Sequence, residues 1–195
     1  MKRQNASPIG SRRALKINDF CEAYGPSRSA TYALIRAGKL PDIKIRGTRI
    51  IPVDAQNTEI AVSLLHRFFQ EEGFSGDRSI IAANLELIRR DDNHWAALAL
   101  NQKQFVGIVT VTSMLYIEWG RLGEIGDLYV LPDERGNGVA RRLVQAAIDW
   151  CRARGCSAVA VITTPQREAA HGLSNFYSRL GFAATERTIS LLQLD

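Results

Sequence analysis

The chain has 195 residues, 46% of them hydrophobic and 23% charged, and carries a net charge of +5. That is the composition of one large or two small globular domains. It contains no run of the ~20 apolar residues a membrane span needs, and no apolar stretch follows Lys2 and Arg3 as a secretory signal requires. Three cysteines, Cys21, Cys151 and Cys156, form neither an even disulfide framework nor a ligand-like pair. The expectation is a cytoplasmic protein with reduced cysteines in packing roles, no metal and no membrane partner.

The charge is unevenly placed. Residues 1–58 hold eleven Lys/Arg against four acids, and residues 59–195 hold fourteen against sixteen. A basic module is joined to a slightly acidic one, which points to a polyanion such as nucleic acid for the first module alone.

Residues 1–13 are polar and basic and read as a disordered arm. Asn18 is a fitting N-cap for a short helix over 19–24, and Gly25-Pro26 breaks it. Ser27 caps a second helix over about 28–37, closed by Gly38. At 100° per residue, Ala30, Ala33, Leu34 and Ala37 share one face. Arg28, Tyr32 and Arg36 share the other, with Ser29 beside them. A hairpin follows in which Ile43 and Ile45 alternate with Lys44 and Arg46, and a Gly47-Thr48 turn leads to Arg49. Two helices across a tight turn and a basic hairpin suit a major groove and an adjoining backbone, or else make a small helical domain with solvated charges.

The stretch "INDFCEAYGPSRSATYALIRAGKLP" with "IKIRGTRIIP" resembles the excisionase-type, MerR-like winged helix-turn-helix domains over about 14–55. The resemblance implies DNA binding through Ser27, Arg28, Ser29, Tyr32, Arg36, Lys44, Arg46 and Arg49. Domains of this kind also serve as adaptors.

From Thr58 the pattern mixes helix and strand. Ala61, Leu64, Leu65, Phe68 and Phe69 recur at helical spacing, and a second helix is expected over 79–90. Strand-like runs follow at 94–100, 104–115 and 122–131. A helix running to about Arg154 places Val139, Leu143, Ala147, Ile148 and Cys151 toward the core. A strand over 157–163, a helix over about 168–180 and a last strand over 188–194 complete the chain. Three strands with short links and then strand–helix–strand describe an α/β (α+β) fold: a mixed, mainly antiparallel sheet with flanking helices.

Between a buried strand and an amphipathic helix lies "LPDERGNGVARRL". A helix start offers unpaired N–H groups and a positive dipole end. Gly136 and Gly138 let an anion approach that backbone, and Arg135, Arg141 and Arg142 add charge. The pattern has neither Rossmann glycine spacing nor Gly-Lys-Ser/Thr.

Arg135-x-x-Gly138-x-Ala140 after "DLYVLPDE", with "FYSRLGF" at 176–182, resembles the GNAT superfamily of acyl-CoA N-acetyltransferases from about Glu59 onward. The resemblance implies that main-chain groups of Leu128, Tyr129 and Val130 bond the pantetheine of acetyl-CoA. It further implies that backbone N–H groups of Arg135, Gly136, Asn137, Gly138, Val139 and Ala140 hold the pyrophosphate, with Arg141 as an added contact. Tyr177 stands where the family places the acid that protonates the departing thiolate. Glu124 stands where some members place the base; Asp127, three residues on, is the alternative base, or else orients the acceptor or bonds the backbone. Strand alternation sets those two carboxylates on opposite faces unless a bulge intervenes. Ala170 occupies a position where many members have a CoA-holding asparagine, so the grip on that side departs from the pattern.

The domain division expected is 1–13, 14–56 and 57–195. "RIIPVDAQNTEIAVSLL" can end the winged module or supply the first strand of the second. The activity implied is direct acetyl transfer to a primary amine of a small molecule or protein. Glu71, Glu72, Glu118, Glu124 and Asp127 would suit a polycation such as an aminoglycoside. An acyl-CoA-sensing DNA-binding regulator and a tRNA-acetylating toxin are the alternatives, and a homodimer is an open arrangement.

Overall fold

The structure, a computed structural model, describes Ser27 and residues 48–74, 76–186 and 188–193. Among the members of the expected DNA-contact set, Ser27 and Arg49 fall within it. Arg28, Ser29, Tyr32, Arg36, Lys44 and Arg46 lie outside the described residues.

The compact unit that begins at Thr48 is built on a five-stranded sheet in the order β1-β2-β3-β4-β5. The strands are β1 (Arg49–Pro52), β2 (His94–Asn101), β3 (Gln104–Tyr116), β4 (Gly120–Val130) and β5 (Ala158–Val161). The first three pairings are antiparallel and β4–β5 is parallel. The stretch Arg49–Pro52 therefore supplies the edge strand of this sheet, in register with Ala97–Leu100. Asn57 locks the turn that follows. Its side chain accepts from the Asp54 N–H at 2.9 Å and donates to Pro52 O at 3.1 Å.

Helix α1 (Thr58–Glu71) buries Ala61, Leu64 and Leu65 of the expected stripe together with Val62, while Phe68 and Phe69 pack half-buried against the core. Helix α2 (Arg78–Arg90) starts at Asp77, whose carboxylate accepts from the Ser79 N–H at 2.7 Å. It ends with Arg89 and Arg90 both on Glu86. Helix α3 (Val139–Ala153) buries Val139, Leu143, Val144, Ala147 and Cys151. On the α3 face of the sheet, Trp95 stacks on Trp150 at 6.1 Å, and a side chain added at Gly107 would meet Leu143. On the other face Tyr129 lies 5.6 Å from Phe68 of α1.

Two elements differ from expectation. The helix expected over about 168–180 is two short ones, α4 (Pro165–His171) and α5 (Leu173–Ser178), hinged at Gly172. The last strand expected over 188–194 is absent from the described residues 188–193, where Ile189, Leu191 and Leu192 are exposed. Its alternating sequence fits a strand, but a strand exists only with a partner ladder, and none pairs with it among the described residues.

Candidate active site

β4 and β5 run together only from Leu122–Ile125 against Ala158–Val161. From Gly126 to Val130, β4 has no register partner on that side among the described residues. The strands part there, and a main-chain edge opens at Leu128, Tyr129 and Val130.

At the parting point β4 is bulged. Val109 pairs with Leu128 and Val111 with Ile125, so Gly126 and Asp127 together oppose Thr110. The Thr110 hydroxyl donates to Asp127 Oδ2 at 2.6 Å and accepts the Asp127 N–H at 2.9 Å. The bulge resets the alternation. Glu124 pairs directly with Thr112, which shares a face with Thr110 two residues away. Glu124 and Asp127 therefore lie on the same face of the sheet, the one that unbroken alternation would have denied to one of them. Burial raises the Glu124 carboxyl above its ordinary range. Burial raises Asp127 as well, with the Thr110 hydrogen bond working against it.

At the end of β4, Pro132–Glu134 forms one 3-10 turn and α3 begins after Gly138. Gly136 and Gly138 have φ of +79° and +77°. A Cβ at either would meet nothing within 4 Å, so these glycines answer to the backbone and leave open space around it. Gly138 makes no side-chain cap bond, so the first-turn N–H groups of α3 stay available to an anion.

The arginines divide. Arg135 gives its N–H to Pro132 O at 3.2 Å and its Nε to Val130 O at 2.9 Å. Its Nη2 pairs with Glu71 Oε2 at 2.6 Å, and the guanidinium sits 5.7 Å from the Tyr129 ring centroid. Arg135 thus ties the loop to β4 and α1, and its own N–H is already spent within the turn. Arg142 donates to Thr48 O at 3.2 Å, and Arg141 is exposed.

Glu71 also accepts from the Tyr129 hydroxyl. Burial opposes its ionisation, but the Tyr129 and Arg135 hydrogen bonds outweigh that and hold the carboxyl below its usual value. Glu72 pairs with Arg167 of α4. These two acids, expected among those free for a polycation, are committed to arginines of the chain itself. An open hollow of about 460 Å³ lies beside them, lined in part by Arg135, Arg167 and His171.

Tyr177 is buried in the same core cluster as Tyr129, Leu131 and Val139. Its ring lies edge-on to Phe176 at 5.0 Å and Phe182 at 5.4 Å. Phe182 is held there by its N–H on Tyr177 O at 3.1 Å. Burial pushes the Tyr177 hydroxyl up to about 12, so it remains a proton donor at neutral pH.

Sequence reasoning missed Thr110 and the pairing of Glu71 with Arg135. A threonine inside an apolar strand run was a visible signal for the first. No local signal joins Glu71 to a residue sixty-four positions on. No helix among the described residues is long and apolar enough to cross a membrane.

The profile described as the acetyltransferase (GNAT) family matches residues 59–182. N-alpha-acetyltransferase 30 of Schizosaccharomyces pombe is 32% identical over 46% of this chain and 58% of its own. The match thus spans little more than half of that relative. Two solved structures share the fold, both with a TM-score of 0.66. AAC(6')-Iy in complex with a bisubstrate analogue, CoA-S-monomethyl-acetylneamine, is 21% identical and covers 76% of this chain and 99% of its own. The aminoglycoside N-acetyltransferase AAC(6')-Iy in complex with CoA is 22% identical and covers 77% and 99%.

Proposed function

The chain belongs to the acetyltransferase (GNAT) family, and from that premise we propose that it transfers an acetyl group from acetyl-CoA directly to a primary amine. One observation carries the reading. Two carboxylates share a face at the bulge where β4 leaves β5, and the same strand runs on to a glycine-capped helix start. A thioester laid along that strand would have its pyrophosphate at the N–H groups from Gly136 to Ala140 and its sulfur end toward the bulge.

In this reading Glu124 or Asp127 takes a proton from the acceptor ammonium, directly or through water. The free amine attacks the thioester carbonyl, the C–S bond breaks, and Tyr177 supplies the proton or hydrogen bond that the thiolate needs. Burial raises both carboxyls, so each holds a proton more firmly than a free carboxylate, which supports a base role for either. The acidic face supports a cationic acceptor, and the named activity of the AAC(6')-Iy neighbour supports an amino sugar within that class.

The basic first module supports a further element, a DNA-binding attachment acting through Ser27 to Arg36 and the hairpin that follows. A mobility shift of the full chain on duplex DNA, weakening steeply with salt, tests it. Retention that ignores salt, or no retention, removes it.

The test of the enzyme reading is thiol release from acetyl-CoA over a panel of amino sugars, other small primary amines and peptides with free N-termini. Turnover with at least one amine is expected. CoA binding without turnover on any of them would replace the enzyme with a sensor of acyl-CoA.

A further inference from the structure

The end of α3 brings two cysteines together. Gly155 follows the helix in left-handed backbone, at φ +71°. The Cys156 N–H donates to Cys151 O at 3.0 Å, and the Gly155 N–H to Arg152 O at 3.1 Å. These two bonds make a Schellman closure, in which the third residue from the helix end touches the residue just past the left-handed one. Here both positions are cysteine. The 3.0 Å main-chain bond between them holds the two backbones side by side, and a disulfide spans roughly 4.4–6.8 Å between Cα atoms.

Both sulfurs lie beside Gly123, on the α3 face of the sheet. Cys156 is close enough to the Cys151 thiol to help raise its hold on its proton. Both crowd Gly123 of β4: a Cβ there would overlap Cys151 Sγ and lie 3.7 Å from Cys156 Sγ. Cys151 is fully buried and Cys156 is partly exposed. An external reagent therefore meets Cys156 first, and Cys151 waits behind it.

We propose that Cys151 and Cys156 are a modification site, a dithiol that closes into an intramolecular disulfide by exchange with a low-molecular-weight disulfide. In the first step the Cys156 thiolate attacks one sulfur of the reagent. The reagent's S–S bond breaks, one thiolate leaves, and a mixed disulfide remains on Cys156. In the second step Cys151 attacks the Cys156 sulfur, its proton passing to the second reagent thiolate as that thiolate leaves. Two protein thiols are oxidised by two electrons, and one reagent disulfide is reduced to two thiols. The product staples the end of α3 to the residue that leads into β5. Burial and the neighbouring thiol hold the Cys151 proton tightly, which makes the second step the slow one. Neither sulfur has a role in the acetyl transfer proposed above.

The experiment uses the full-length chain and oxidised glutathione, followed by alkylation, trypsin and mass mapping. Trypsin cleaves after Arg142, Arg152, Arg154 and Arg167. The disulfide therefore joins peptide 143–152 to peptide 155–167, and reduction separates them. The expected result is that joined pair as the main oxidised product, with Cys151→Ala instead accumulating a stable glutathione adduct on Cys156. A wild-type protein that keeps the adduct or a free thiol on Cys156, or that pairs Cys156 with Cys21, overturns the proposal.

Discussion

Thr110 holds Asp127 at two points: its hydroxyl donates to the carboxylate at 2.6 Å and accepts the backbone N–H at 2.9 Å. One buried hydroxyl thus pins the bulge that turns Asp127 onto the Glu124 face. Thr110→Val keeps the shape and removes both bonds, with an expected cost of about 1–3 kcal/mol. The cost should depend on pH. Burial already raises Asp127 and the Thr110 bond opposes that, so the variant raises it further. An acid with a raised folded-state pKa contributes its stability at low pH and loses it as pH rises through the folded value. The penalty should therefore be larger at neutral pH than below the ordinary Asp range. Urea unfolding at both pH values measures it, and equal penalties would refute the linkage.

The shared face makes a kinetic prediction about the base. Glu124→Gln or Asp127→Asn, whichever removes the base, should lower turnover by roughly 10²–10⁴-fold while leaving CoA affinity near that of the wild type. Both carboxyls are raised, so the ascending limb of kcat/KM should lie above the ordinary carboxylate range. Variants that both turn over at the wild-type rate would remove the carboxylates from the chemistry.

Gly138 caps α3 at φ +77° with open space around it. Gly138→Ala should cost about 1–2 kcal/mol of left-handed backbone strain and weaken CoA binding with it. Gly138→Asn, which tolerates this conformation better, should recover part of the loss. Calorimetric titration with CoA distinguishes them, and an alanine variant that binds as tightly as the wild type sinks the idea.

Glu71 reaches back from α1 to steady Arg135. Glu71→Gln should loosen the loop, weakening CoA more than it slows turnover at saturating acetyl-CoA. The stability change should be small, about 1 kcal/mol or less, because the pair is partly exposed and screened. Glu71 lies below its usual value, so its contribution is present above the unfolded value and fades as pH falls through the folded one. Thermal melts of the two proteins should converge in acid; a gap that persists there would point to packing alone.

Tyr177→Phe removes a hydroxyl whose ring is clasped by Phe176 and Phe182. Turnover should fall while fold and CoA affinity hold, because the aromatic packing survives. Steady-state kinetics beside CoA titration read the split, and unchanged turnover would take Tyr177 out of the reaction.

The amino-acid sequence by itself determined the local events: the apolar stripes of α1 and α3, the three linked strands, the left-handed glycines at 136 and 138, and the family landmarks around them. Each depends on neighbours within one or two turns, which is the range over which helical and strand periods act. Only the tertiary structure decided the rest. Alternation along β4 predicts opposite faces for Glu124 and Asp127, but the ladder slips one residue where Thr110 of another strand takes hold of Asp127. Arg135 is a loop cation in the sequence and becomes a brace once folding brings Glu71 beside it. The alternating pattern at 188–193 is strand-like, yet a strand needs a partner edge, and the described fold gives it none. What escapes the sequence is the chemistry shared between segments far apart along the chain, because packing selects those partners.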